Sequence, residues 1–373
     1  MSELNQSLPG IEPLIRAGIE QKWHLGMQVY VSRRGESVAN AAVGNDTPDA
    51  ELQPDTLTRW LSAGKPLTAA AILKLSDAGA LSVHDPVCKH IPEFADAEKQ
   101  DVLVWHLLTH TAGLKPVVSG WPQATWEEIV AKICRAPLRP EWILGSKGAY
   151  DPGNSWFILG ELIQRLSGRP VDEFVKAEVC DPLGMSDARM SFTSDEHAEH
   201  ESRIGLTYAE RDGELVATRS HLPESLSVPA PGASMRGPAA DLGRFYEMLL
   251  RGGRSESGEV ILQETTVREM TKRWRVNTFD QTFCNVLDFG LGLIINSQQY
   301  AKAPVPYGYG RYASAETFGH GGAQSSVGFA DPAHELVVVL IANGCPGESV
   351  HQRRFHELVN QIYVDLGLAE SNS

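Results

Sequence analysis

Strand-type patterning stands at both ends of this chain and helix-type patterning fills its middle. That arrangement restricts the possible folds more than any other feature. Near the start, Gly26-Met-Gln-Val-Tyr-Val-Ser32 reads as a strand, Arg34-Gly35-Glu36 as a hairpin turn, and Ser37–Val43 as the return strand, closed by Gly44. Near the end, Phe289–Ile295, Ser325–Ala330 and Leu336–Ala342 read as strands, with Asp331-Pro332 turning between the last two. Between them lie helical patterns over Trp105–Thr109, Trp126–Cys134, Trp156–Leu166, Val171–Val179 and Pro238–Leu250, separated by Pro and Gly clusters. A final amphipathic helix runs from His351 to Leu366. Successive hairpins imply an antiparallel sheet, and a sheet drawn from both termini implies one body carrying an insertion. The expected fold is therefore α/β in the α+β sense, with a sheet formed by both termini, flanking helices and a mainly helical inserted lobe. Residues 1–373 are expected to form a single unit, with 1–60 and 280–373 as the sheet subdomain and 61–279 as the helical one.

Charge narrows the function classes. The net charge of −14 argues against nucleic acid and anionic lipid, which are bound through clustered Lys and Arg. The five cysteines (Cys88, Cys134, Cys180, Cys284, Cys345) are widely spaced, odd in number and include no C-x-x-C pair, so neither a zinc cluster nor a thioredoxin-like motif is supported. Reduced thiols fit a cytosol. The stretch Met1–Ile11 lacks a basic region followed by an apolar core, so no signal peptide or membrane span is expected. The expected location is cytoplasmic, and the expected partner a small molecule.

The chemistry-bearing candidate is Ser62-Ala-Gly-Lys65, an S-x-x-K tetrapeptide where a helical pattern begins: Leu67, Ala70, Ala71, Leu75 and Ala78, ended by Gly79. Residues i and i+3 share a helix face, so the spacing brings a hydroxyl and an amine together. A Ser hydroxyl needs an adjacent base, and a Lys serves once desolvation lowers its pKa. With 28 serines and 11 lysines, about one such tetrapeptide is expected by chance. Alone, it reads more readily as a helix cap followed by a solvated first-turn lysine.

The surrounding residues carry more. Arg59-Trp-Leu-Ser-Ala-Gly-Lys-Pro-Leu-Thr-Ala-Ala-Ala-Ile-Leu-Lys-Leu75, Gly79-Ala-Leu-Ser-Val-His-Asp-Pro-Val87, Ile91-Pro-Glu-Phe94 and Trp105-His-Leu-Leu-Thr-His-Thr-Ala-Gly-Leu114 follow in order. Phe157-Ile-Leu-Gly160, Asp181-Pro-Leu-Gly-Met185 and Ala239-Ala-Asp-Leu-Gly-Arg-Phe245 come after them. Together they resemble the β-lactamase-related, penicillin-binding-protein-like serine hydrolases, a group that includes class C β-lactamases, D-Ala-D-Ala carboxypeptidases, D-aminopeptidases and family VIII carboxylesterases. The resemblance spans roughly residues 15 to 365 and implies a β-lactamase/transpeptidase-like fold.

What the resemblance implies for the site is specific. Ser62 is the acylated nucleophile and Lys65 its base. Tyr150, in Gly148-Ala-Tyr-Asp-Pro-Gly-Asn-Ser-Trp-Phe157, stands where the family's Y-x-N element supplies a second base. The asparagine is displaced: Asn154 follows four residues on, and Pro152 occupies its usual place. The family's K-T-G strand is matched by Phe318-Gly-His-Gly-Gly-Ala323, an H-x-G form. His320 is then expected to line the pocket and polarise the Tyr150 hydroxyl, and Gly321 and Gly322 to let substrate lie against the strand edge. The backbone N–H groups of Ser62 and Ala323 would form the oxyanion hole. Asn154 and Trp156 are candidate substrate contacts. The bland readings are a packed loop tyrosine for Tyr150, a loop hydrogen-bonder for His320 and a core tryptophan for Trp156.

Replacing the strand lysine by His320 removes the fixed charge that a penicillin or peptide carboxylate would meet. The departure favours an ester or an uncharged amide. Two other signals carry less. His106 and His110 have the i, i+4 spacing of zinc ligands, but Leu107 stands where an H-E-x-x-H glutamate belongs. No G-x-S-x-G elbow exists, Gly232-Ala-Ser-Met-Arg236 being the nearest miss, which excludes an α/β-hydrolase. The expectation is a carboxylesterase with weak β-lactam hydrolysis, needing no metal or organic cofactor. An amidase, D-aminopeptidase or acyltransferase is the rival on the same fold, and a non-catalytic binding protein the rival of another class.

Overall fold

The computed structural model describes residues 3–369; Met1 and Ser2, part of the polar stretch read above, and the last four residues lie outside them. The core is an eight-stranded sheet whose strands come from the two ends of the chain. In chain order they are β1 (Gly26–Arg33), β2 (Glu36–Thr47), β3 (Ala50–Glu51), β4 (Asp288–Phe289), β5 (Ile294–Ile295), β6 (Phe318–Gly322), β7 (Ser326–Asp331) and β8 (Leu336–Ala342). Their spatial order is β4-β5-β6-β7-β8-β1-β2-β3, and every neighbouring pair is antiparallel. The first and last long strands meet at the centre, where Met27 pairs with Ala342 and Arg33 with Leu336. The expected antiparallel sheet from both termini is what forms.

Both faces of the sheet are covered, which is why β8 is apolar throughout instead of alternating. Leu336, Val338 and Leu340 pack with Ile11 and Ile15 of α1 (Ile11–Glu20) and with Phe355, Leu358 and Ile362 of the C-terminal helix. Val337, Val339 and Ile341 face the other way, toward Leu242, Phe245 and Tyr246. Those three belong to a helix over Ala239–Leu250, drawn from the middle of the chain. Gln28 of β1 ties this layer to the segment preceding Ser62. Its amide nitrogen donates to the carbonyls of Gln53 and Thr56, both at 2.9 Å, and its oxygen accepts from Thr58 Oγ1 and Ala239 N at 3.0 Å. A buried amide with all of these partners is an anchor and not a cost.

In one place the structure corrects the strand reading. Phe289–Ile295 is not a single strand but a hairpin, with Asp288 paired to Ile295 and Phe289 to Ile294. Gly290 N–H donates to the Leu293 carbonyl at 2.9 Å, and Gly292 takes a φ of +77°, which glycine adopts without strain. The two glycines that interrupt the apolar run make the turn. The first two strands from this end are two residues each, so β6 beyond Phe318 and Gly319 has no strand on its β5 side. That open edge bounds the site.

Candidate active site

Ser62 lies in a tight helical turn, Leu61–Gly64, that leads directly into the helix α2 (Lys65–Asp77). Leu67, Ala69, Ala70, Ala71 and Ile72 are all fully buried on α2, because small side chains let neighbouring elements close around it. The turn is held from both sides. Trp60 N–H donates to the Met235 carbonyl at 3.0 Å and its indole N–H to the Gly237 carbonyl at 2.9 Å. Ser326 Oγ of β7 donates to the Trp60 carbonyl at 2.7 Å. Leu61 adopts a φ of +53°, a strained value for a leucine and one that such anchoring sustains. Gly322 completes the fit: a Cβ there would lie 2.3 Å from the Trp60 carbonyl oxygen. Only glycine lets β6 approach the nucleophile turn this closely, and Ala323 follows it.

Lys65 is fully buried beside Ser62. Its Nζ lies 3.0 Å from Ser62 Oγ, 3.0 Å from the Pro152 carbonyl and 2.6 Å from the Gly232 carbonyl. Burial pulls its pKa down from 10.5 to about 7, with the Asp151 carboxylate working the other way. A neutral amine has two N–H donors and one lone pair. Two carbonyls take the donors, which turns the lone pair to the serine hydroxyl. The rings of Trp156 and Tyr150 enclose the nitrogen, with centroids at 5.1 and 5.4 Å.

Tyr150 meets the serine from the other side. Its hydroxyl donates to Ser62 Oγ at 2.8 Å. Burial is the largest of the influences on the phenol and raises its pKa, so it is a proton donor at neutral pH. The backbone around it is fixed by Asp280, whose Oδ1 accepts from the N–H groups of Tyr150, Thr282 and Phe283 at 3.2, 2.9 and 3.0 Å. Asp280 is itself paired with Arg275 at 3.0 Å, both side chains fully buried.

The remaining expected site residues fall in different places. Trp156 is fully buried on α3 (Asn154–Ser167), beneath Lys65. Asn154 is the first residue of that helix; its amide donates to the Lys115 carbonyl at 3.1 Å. Asp151 caps the same helix, accepting from the N–H groups of Gly153, Asn154 and Ser155. His320 is buried, and burial, assisted by Lys65, lowers its pKa to about 3. A neutral ring then donates Nδ1–H to the Gly321 carbonyl at 2.8 Å and leaves Nε2 without a partner. Its ring centroid stands 6.0 Å from that of Tyr150, and no hydrogen bond joins the two side chains. Gly321 lies under the ring of Tyr307, whose Cδ1 would be 2.2 Å from a Cβ at that position.

His110, whose zinc-like spacing to His106 carries little weight and whose bland reading is helix packing, has a more specific part. Its carbonyl accepts from Ala149 N–H at 3.1 Å and its Nδ1 from Asp151 N–H at 3.0 Å. Its ring lies 4.6 Å from that of Tyr150. The residues on both sides of Tyr150 are thus bound to one residue, and the ring backs the phenol. His106 Nδ1 instead accepts from Leu103 N–H at 3.0 Å, and among the described residues no cluster is arranged to hold a metal ion.

The sequence profile named Beta-lactamase matches residues 11–361. The chain belongs to that family. Among its relatives is "Esterase EstB" of Burkholderia gladioli, 26% identical over 89% of each chain. A penicillin-binding-protein homologue of Caulobacter crescentus superposes with a TM-score of 0.76 at 26% identity, covering 96% of this chain and 98% of the other. The fold is also that of EstCE1, described as a hydrolase with promiscuous acyltransferase activity, at a TM-score of 0.80, 22% identity and coverage of 97% and 100%. This is a β-lactamase-fold hydrolase family with esterase and penicillin-binding-protein-like members. Among the described residues no helix is long and apolar enough to cross a membrane.

Proposed function

We propose that the protein cleaves carboxylic esters through an acyl-enzyme on Ser62. The observation that carries this is the pair of contacts on Ser62 Oγ, Lys65 Nζ at 3.0 Å and Tyr150 Oη at 2.8 Å. In the first half-reaction the serine proton passes to Lys65 as the Oγ–C bond forms. The carbonyl electrons move onto oxygen, where the N–H groups of Ser62 and Ala323 receive them. The C–O bond to the leaving alkoxide then breaks, and the Lys65–Tyr150 pair returns the proton to it. Water repeats the sequence to release the acid. Every proton is moved by the chain's own groups.

Two features support an ester over a carboxylate-bearing β-lactam or peptide. The strand position where the resemblance would place a lysine holds His320, whose pKa, lowered by burial to about 3, leaves it neutral at neutral pH. Near Tyr150 stands the carboxylate of Glu348, whose charge raises the phenol's pKa and would repel an anion. Asn154, Trp156, Gly321 and Gly322 are assigned here to shaping the walls and floor of the cleft. The test compares kcat/KM on p-nitrophenyl butyrate, D-Ala-p-nitroanilide and nitrocefin. A clear preference for the butyrate is expected; a preference for the anilide would make the protein an amidase with the same machinery.

A further inference from the structure

An aromatic strip leads away from the catalytic tyrosine. The Phe283 ring lies 4.8 Å from Tyr150, the Tyr307 ring 5.5 Å from Phe283, and the His351 ring 5.2 Å from Tyr307. Phe283 and Tyr307 are only half-buried, and Tyr307 rests on Gly321, at the open edge of β6. The strip ends on a charge. Tyr307 Oη donates to the Glu348 carboxylate, 3.0 Å from each oxygen. Glu348 opens the C-terminal helix, is exposed to solvent and forms no ion pair among the described residues. Two guanidiniums lie beyond Cys345, near enough to influence its thiol. That of Arg354 is occupied by the carbonyls of Trp23, Gln324 and Gly344, and neither it nor Arg59 pairs with Glu348.

Aromatic faces attract a cation through their quadrupole, and a carboxylate at the end of the strip adds a Coulombic partner. We propose that this strip is a cation subsite, receiving a small ammonium group carried by the ester or amide that Ser62 attacks. The proposal rests on the serine hydrolase reading and names its substrate class. A bulky anion at the same place would meet the carboxylate of Glu348, which neither guanidinium pairs with.

The test measures kcat/KM for butyrylthiocholine against its uncharged carbon isostere, the 3,3-dimethylbutyl thioester. The cationic substrate is expected to be preferred roughly tenfold, the sum of a cation–π contact and a solvent-exposed ion pair. The ratio should fall toward one in E348Q and below one in E348K, an inversion that a structural role for Glu348 would not produce. A ratio near one in the wild type, or a ratio unchanged by E348Q, overturns the subsite. Ser62→Ala separates this from the hydrolase reading, since binding can be followed by NMR titration with choline, butylammonium and 3,3-dimethylbutanol. Choline or butylammonium bound more tightly than the alcohol supports the subsite even where no thioester is turned over, and shows which ammonium it takes. Neither cation bound more tightly than the alcohol overturns it, whatever p-nitrophenyl acetate shows.

Discussion

Lys65 Nζ reaches Ser62 Oγ at 3.0 Å while two backbone carbonyls, those of Pro152 and Gly232, take its remaining donors. The relationship defines the protonation state in which the site works. As an amine, Lys65 satisfies both carbonyls and accepts from the serine; as an ammonium, it offers the serine a donor where an acceptor is required.

The pH dependence follows from that state. The pKa is depressed from 10.5 to about 7, so the active amine predominates above that value and is lost as pH falls through it. For p-nitrophenyl acetate, kcat/KM should rise with pH along a limb of apparent pKa near 7. A limb near 4 instead would assign the base to a carboxylate.

Removing the Tyr150 hydroxyl takes away the donor to Ser62 and leaves the ring. Tyr150→Phe should lower kcat by about 10²- to 10³-fold, the usual contribution of one positioned proton-transfer group, with a far smaller change in KM. Equal kcat in the variant would confine Tyr150 to packing.

His110 acts on Tyr150 by fixing its neighbours. Its φ of +57° suits asparagine, whose Oδ1 can replace Nδ1 as the acceptor of Asp151 N–H. His110→Asn should therefore retain most of the kcat, whereas His110→Leu should lose at least tenfold with its fold intact by circular dichroism. Equal losses in the two would show that the bond to Asp151 carries no weight.

Asp280 joins the Tyr150 N–H to its own turn, where Thr282 and Phe283 N–H share the same oxygen, and forms a buried ion pair with Arg275. Asp280→Ala strands the guanidinium and should cost about 3–5 kcal/mol of stability, read from denaturant unfolding. A change below about 1 kcal/mol would mean the loop is held by other contacts.

Legibility in the sequence tracked the locality of the cause. The hairpin of β1 and β2, the apolar run of β8 and the helix after Ser62 depend on period and turn residues, and these are visible in one dimension. Ser62, Lys65 and Tyr150 are legible in their motifs, and the fold brings Lys65 Nζ and Tyr150 Oη each within 3.0 Å of Ser62 Oγ. What stayed hidden depends on the backbone in three dimensions. The carbonyls of Pro152 and Gly232 carry no side-chain signature, yet they set the amine's orientation. The bracket that His110 forms around Tyr150 joins residues about forty apart, and the i, i+4 spacing to His106 drew notice to the wrong partner. The polarising bond from His320 to Tyr150 was expected from order along the chain; instead, the His320 ring turns its Nδ1 to the Gly321 carbonyl.

The central claim is that Ser62 carries the acyl group. Its most direct test incubates the protein with a fluorophosphonate serine reagent, digests it, and locates the adduct by mass spectrometry, while p-nitrophenyl acetate turnover is followed in parallel. The account predicts one adduct, on the peptide containing Ser62, formed as activity disappears and absent from Ser62→Ala. Turnover that persists in Ser62→Ala, or inactivation with Ser62 unmodified, would contradict it.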